Sequence, residues 1–178
     1  KWSEPKFVGD LKNRVLKLKP LLIGRDAPDI QLVKIQDEHF RMAANDSAIM
    51  KNPYVGDFIN LRTIPAKFII LYFWESDCGH CQKTIPVLHK LFERMKDKGL
   101  QVVSVNMLSG VEGKVKWINF VNSEKLYGWI NAWNPYDFSY REIYDITSSN
   151  ILYLIDENKK IIAKRISPEQ AEQIMMDL

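Results

Sequence analysis

The sequence predicts an α/β protein, a central mixed β-sheet with helices on both faces. Three observations predict it. The apolar run of residues 68–74, bounded by Lys67 and Glu75, is rich in aromatic and β-branched types and reads as a strand buried on both faces. A helical pattern and a second apolar run follow it, in strand–helix–strand order. Near the end, residues 151–155 and 161–166 flank the turn Asp156-Glu157-Asn158-Lys159 and read as a hairpin. Strands interleaved with helices, closed by a hairpin and a last helix, build a layered sheet.

The elements follow in order. In residues 2–22 the apolar positions Phe7, Leu11, Val15 and Leu18 fall at four-, four- and three-residue steps, giving one helical stripe among lysines and arginines. The first reading is a helix packed on the domain. A membrane-surface helix and a linker from an upstream domain are the other two. Residues 1–21 are therefore an N-terminal helical extension or linker, and 22–178 form the domain. Ile30, Leu32 and Ile35 mark a strand; residues 43–56 lack either periodicity and read as loop. After the strand at 68–74 comes a helix over about 78–98, stopped by Gly99, then a strand over 100–107. Val115, Ile118 and Val121 carry a helix over about 113–126, and 129–135 reads as aromatic and irregular. Pro168 opens a final helix with Ser167 as its N-cap. No internal repeat is present.

Composition narrows the function classes. The 178 residues are 46% hydrophobic and 26% charged, enough to hide roughly 70% of the unfolded chain's surface in one core. The net charge of +3, from 25 basic and 22 acidic residues, is too balanced to point to nucleic acid. No apolar run approaches the ~20 residues of a membrane span. The chain begins at Lys1 without a leader pattern, so it reads as a mature fragment or excised piece, with any export signal or membrane tether outside it.

The two cysteines, Cys78 and Cys81, are the chemistry. They exclude a disulfide scaffold and an all-cysteine zinc site. Three positions apart at a helix start, they share one face with Cα atoms roughly 5–6 Å apart, within disulfide reach. The helix end presents free N–H groups and partial positive charge, which stabilise a thiolate. Cys78, at the very end, is the expected nucleophile, and Cys81, one turn in, the expected resolving thiol. His80 between them adds positive charge or a hydrogen bond when Cys78 ionises, which favours the dithiol and makes the pair more oxidising. A haem site would need histidine where Gln82 stands, and zinc would need further ligands from His39, His80, His89 or carboxylates, none at finger-like spacing. His39 and His89 read as ordinary surface or half-buried histidines. No metal and no cofactor beyond the cysteine pair is expected.

Phe73-Trp74, then Cys78-Gly79-His80-Cys81, then Pro86 five residues on, resembles the thioredoxin superfamily, and within it the extracytoplasmic TlpA/ResA-like thiol–disulfide oxidoreductases. Gly24-Arg25-Asp26-Ala27-Pro28-Asp29 resembles the family's strand-leading segment. Tyr144-Asp145-Ile146 and Tyr153-Leu154-Ile155-Asp156 resemble its late strand and hairpin. The resemblance implies a thioredoxin-like fold over 22–178 and a periplasmic or cell-envelope location. Its partners would be protein disulfides or dithiols and an upstream redox protein. It also implies that Trp74 packs beside the site, which is compatible with a plain core aromatic, and that Pro86 bends the active-site helix.

Two positions depart from the pattern. Thioredoxins proper carry a buried carboxylate six residues before the first cysteine, where this chain has Tyr72. Glu75 either assists proton transfer or is a solvated acid, and Asp77 reads as solvated. The family's cis-proline place falls at Asn150, where a cis bond would cost roughly 3–4 kcal/mol, so the Ser149–Asn150 bond is expected to be trans. Three functional readings follow: an enzyme exchanging protein disulfides through Cys78 and Cys81, modulated by Gly79, His80, Trp74, Glu75 and Asn150; a non-catalytic thioredoxin-like binding module, motivated by Asn150 and Tyr72; and a thiol peroxidase, whose pattern wants threonine where Glu75 stands.

Overall fold

Every side chain of β3 (Phe68–Trp74) is buried, as the uninterrupted apolar run requires, and the sheet is built outward from it. The computed structural model describes residues 5–42, 56–133 and 137–178. In chain order these form α1 (Pro5–Leu18), a 3₁₀ turn (Lys19–Leu21), β1 (Gln31–Ile35), α2 (Asp37–Met42), β2 (Gly56–Asn60), β3, α3 (Gly79–Met95), β4 (Leu100–Asn106), α4 (Gly110–Ser123), β5 (Ile130–Trp133), α5 (Ser139–Ile143), β6 (Ile151–Asp156), β7 (Ile161–Lys164) and α6 (Pro168–Met176). Among the described residues they make a seven-stranded sheet in the order β2-β1-β5-β4-β3-β6-β7. β4 runs parallel to both β3 and β5; the other neighbouring pairs are antiparallel.

Strand alternation divides the core. Phe68, Ile70, Tyr72 and Trp74 face one side, where they meet Ile85 and Leu88 of α3, Trp117 and Val121 of α4, and Ala171 and Met175 of α6. Ile69, Leu71 and Phe73 face the other, under Leu21 of the 3₁₀ turn, Ala27, and Tyr140 and Tyr144 at α5. Helices thus lie on both faces, as predicted. β6 pairs with β3 in a register that sets Ile151 opposite Phe73 and Leu152 opposite Tyr72. Asn150, just before β6, therefore sits level with the end of β3 and on the same face as Tyr72 and Trp74.

The predicted helix over 78–98 is α3 plus a 3₁₀ turn (Lys96–Lys98). Ser167 caps the start of α6 through a reciprocal box with Gln170, as read. Gly99 ends the helical stretch at φ +91°, and a Cβ there would lie 2.8 Å from Lys67 Cβ. Its carbonyl accepts from Phe68 N at 3.1 Å, so the backbone has no room to yield. Gly99→Ala is expected to lower stability by about 2 kcal/mol, read as a lower urea midpoint at unchanged slope. A loss below about 0.5 kcal/mol would contradict the left-handed constraint.

The structure corrects four readings. Residues 130–133, read as irregular, form β5, because they pair in register with both β4 and β1; residues 134–135 of that stretch lie outside the described residues. Gly56, read as loop, opens β2, while 43–55 also lie outside the described residues. α4 starts three residues earlier than read, at Gly110. The apolar stripe of α1 is left largely uncovered: Phe7, Leu11 and Val15 are each more than half exposed, and only Leu18, at its end, is half-buried. Instead, Arg14 anchors α1 by donating to both carboxylate oxygens of Asp145, at 3.2 and 3.3 Å.

Candidate functional site

β3 delivers the chain to the site and α3 carries the reactive pair away from it. Between them Cys78 N donates to Glu75 O at 3.2 Å, closing a tight turn, and Gln82 Nε2 donates to Ser76 O at 2.9 Å, fixing the turn against α3. Cys78 is the N-cap of α3: its backbone is extended, and its sulfur accepts the Cys81 amide at 3.3 Å. The thiol thus occupies the position where an unpaired helix amide needs an acceptor. Both cysteines are free; Cys78 is partly exposed, and Cys81 is fully buried with Tyr72, Trp74 and Ile85 around it.

The two thiols are pushed apart electrostatically. Burial raises Cys78, but hydrogen bonds from the Cys81 thiol, the Ser149 hydroxyl and the amides of Cys81 and His80 outweigh it, so its pKa lies below the ordinary thiol value. Burial drives Cys81 up to about 11, and the thiol of Cys78 adds to the rise. Cys78 is the sulfur that ionises more readily, and Cys81 the one that holds its proton.

The other predicted residues fall around this pair in different ways. His80 is exposed, and among the described residues no side chain hydrogen-bonds its imidazole; its amide, rather than its ring, reaches Cys78. Gly79 is exposed, with nothing within 4 Å of where a Cβ would be. Trp74 is fully buried. Its Nε1 donates to Ser104 Oγ at 3.1 Å, Ser104 donates to Asn131 Oδ1 at 2.9 Å, and Asn131 Nδ2 donates to Leu126 O at 2.7 Å. Trp74 is therefore a core residue under the site, ring-stacked on Tyr72 at 6.5 Å. Glu75 is partly buried, 4.0 Å from Arg141, while Asp77, read as solvated, pairs with Lys116 at 3.3 Å across a half-exposed surface. His39 and His89 are half-buried and away from the cysteines. Pro86 stands inside α3 on its exposed side.

Asn150 is close to the pair. Its peptide bond is trans, as expected, because no cis bond occurs among the described residues, and its φ is +67°. Its Oδ1 accepts the Tyr72 hydroxyl at 2.7 Å. The two positions where the chain departs from thioredoxins are thus bonded to each other. Burial and the neighbouring cysteines hold the Tyr72 phenol far above its ordinary value, so it stays protonated. Two groups were missed from the sequence: Ser149, which reaches Cys78, and Thr84, which reaches Tyr72 and lines a cavity of about 280 Å³ with Asn150 and Arg165. A signal for Thr84 was available, since it stands one helical turn after Cys81.

With this geometry in place, comparison with known proteins decides the family. The AhpC/TSA family matches residues 23–165. The chain belongs to the AhpC/TSA family. Relatives that it resembles include the thiol-disulfide oxidoreductase ResA of Bacillus thuringiensis, 27% identical over 121 residues, which are 67% of this chain and 66% of that one. ResA of Bacillus subtilis is 27% identical over 124 residues, 68% and 65% of the two chains. The match thus spans about two thirds of the length of these curated relatives. Among solved structures, a domain of a possible thiol-disulfide isomerase from Cytophaga hutchinsonii is 33% identical with a TM-score of 0.68, covering 89% of this chain and 93% of that one. A thioredoxin-like protein from Bacteroides caccae, 20% identical with a TM-score of 0.75, covers 99% and 57%, and shares the fold. This AhpC/TSA chain is accordingly thioredoxin-like, with thiol–disulfide oxidoreductases of the ResA type as its relatives. Among the described residues no helix is long and apolar enough to cross a membrane, and no group of three or more histidine, cysteine or acidic residues is placed to hold a metal ion.

Proposed function

We propose that this chain is an enzyme that exchanges disulfides with protein substrates through Cys78-Gly79-His80-Cys81, with residues 22–178 as the working domain. The observation that carries the reading is the asymmetry of the pair: Cys78 capping the helix, partly exposed and of lowered pKa, against Cys81 fully buried and raised to about 11. The Cys78 thiolate attacks one sulfur of a substrate disulfide, forming a mixed disulfide and releasing the other sulfur as a thiolate. Cys81 then loses its proton and attacks Cys78 Sγ. The Cys78–substrate bond breaks, the Cys78–Cys81 bond forms, and the departing substrate sulfur takes up a proton. Two electrons pass from the dithiol to the substrate, and the reverse sequence oxidises a substrate dithiol.

The pair is itself the redox couple, so no metal or organic cofactor is required. The partners are protein disulfides or dithiols and a redox protein that resets the pair. An extracytoplasmic location with a tether outside this chain is part of the same proposal, because the family it resembles works there.

The experiment is catalysed reduction of insulin disulfides by the purified chain with dithiothreitol, run beside peroxide consumption with the same reductant. Exchange faster than dithiothreitol alone supports the enzyme. Exchange at the rate of dithiothreitol alone leaves the binding module, and peroxide consumption without disulfide exchange leaves the peroxidase, whose threonine place is held by Glu75.

A further inference from the structure

Thioredoxins proper give the resolving thiol a carboxylate, and this chain has none there. Tyr72 occupies the position on β3, on the face of the sheet that Cys81 packs against. Its hydroxyl is fully buried, and its proton is engaged by Asn150 Oδ1 at 2.7 Å. Asn150 is placed for this by backbone rather than by chance contact. At φ +67° it adopts the left-handed conformation that asparagine tolerates and proline, locked near −65°, is barred from. Arg165, in the same cavity wall, donates to Asp145 O at 2.8 Å and to its carboxylate at 3.4 Å, holding the far end of the loop that presents Asn150.

A phenol in this place cannot take a proton from Cys81, but it can choose where its own proton points. We propose that Tyr72 and Asn150 form a hydroxyl switch that positions Cys81 for attack, with Asn150 Oδ1 drawing the Tyr72 proton away while Cys81 is a thiol and Tyr72 turning to donate to Cys81 once it is a thiolate. Tyr72 keeps its proton throughout. The proton lost by Cys81 leaves with the departing substrate sulfur, so the balance of the resolving step is unchanged. Asn150 thereby opposes ionisation of Cys81 and Tyr72 favours it.

The titratable and charged groups around Cys81 are few. Cys78 faces it from its own helix start and Tyr72 from β3. Glu75 offers its backbone amide from the turn while its carboxylate points towards Arg141; Arg165 lies across the cavity, tied to Asp145. His80, Asp77 and Lys116 are at the exposed rim. The switch therefore has a defined signature that a packing defect lacks.

The inference rests on the proposed roles of Cys78 and Cys81, but its test uses no substrate, so it stands or falls apart from the exchange assay. In a Cys78→Ser background, the thiolate absorbance of Cys81 is titrated for four chains: Asn150→Gly, Asn150→Asp, Tyr72→Phe, and Asn150→Gly with Tyr72→Phe. Glycine keeps the left-handed backbone and removes the acceptor. The expected midpoint falls by about one pH unit in Asn150→Gly, roughly tenfold in proton affinity, and rises in Tyr72→Phe. In the Tyr72→Phe background the glycine substitution has no effect. Asn150→Asp, which retains an acceptor oxygen, does not fall. An Asn150→Gly midpoint that is unchanged, or that falls equally with and without the Tyr72 hydroxyl, overturns the switch.

Discussion

Cys78→Ser is expected to bring disulfide exchange down to the uncatalysed rate with any protein disulfide as probe. A serine hydroxyl forms no mixed disulfide, and nothing else near the site replaces the lost sulfur. Cys81 is the only other thiol in the chain, and it is unfit for the first attack on two grounds. It is fully buried, out of reach of an external disulfide. With a pKa of about 11 it is ionised to about one part in ten thousand at neutral pH. Cys81→Ser should behave differently. It keeps the exposed thiolate, completes the first step and accumulates the mixed disulfide, because the second step has no nucleophile. Insulin reduction followed by turbidity, with non-reducing electrophoresis of Cys81→Ser, reads both outcomes. A Cys78→Ser chain retaining more than about a tenth of the rate would remove Cys78 from the chemistry.

Trp74→Ala is expected to be the costliest single change to the fold, at about 4 kcal/mol of stability. The ring is fully buried, stacked on Tyr72 and packed on Phe120 at 5.4 Å, so truncation opens a cavity in the centre of one core layer. It also strips a donor from Ser104, the start of the buried chain through Asn131 to Leu126. A hydrogen bond of that kind is worth about 1 kcal/mol, and orphaned buried groups cost more. Since whole domains hold only about 5–15 kcal/mol, the variant should unfold at far lower urea. Trp74→Phe keeps most of the volume and loses the donor, so it should fall between. A loss below about 1 kcal/mol for Trp74→Ala would mean that Trp74 contributes to the site rather than to the core.

What was legible in the sequence followed physical strength of signal. β3 is uninterrupted because both its faces are covered, and such a run has no other soluble reading. The start of α3 was legible because a cysteine pair, a helix stop at Gly99 and a 3.6-residue pattern agree. β5 was hidden because residues 130–133 make a strand only through their partners: Ala132 lies between Val105 and Lys34, and neither neighbour is near in sequence. α1 was legible as a helix but not in its packing, since amphipathicity fixes a face and not what covers it. The site was half visible. Tyr72 and Asn150 each stood out as a departure, yet they lie 78 positions apart, and only the pairing of β3 with β6 brings hydroxyl to amide. His80 drew attention for its ring, whereas the structure uses its backbone. Ser149 carried no signal at all, because a single serine in a loop looks like any other.

The division of labour between the two sulfurs is the centre of the mechanism, and the pH dependence of alkylation tests it most directly. The reduced chain is treated with iodoacetamide across pH, and the modified cysteine is mapped by mass spectrometry. A lowered pKa puts the thiolate in place at lower pH, so modification of Cys78 should rise through a midpoint below that of a free thiol and then level off. Cys81 should stay unmodified until pH approaches about 11 or the chain unfolds. Equal modification of the two cysteines at neutral pH, or earlier modification of Cys81, would contradict the assignment of nucleophile and resolver.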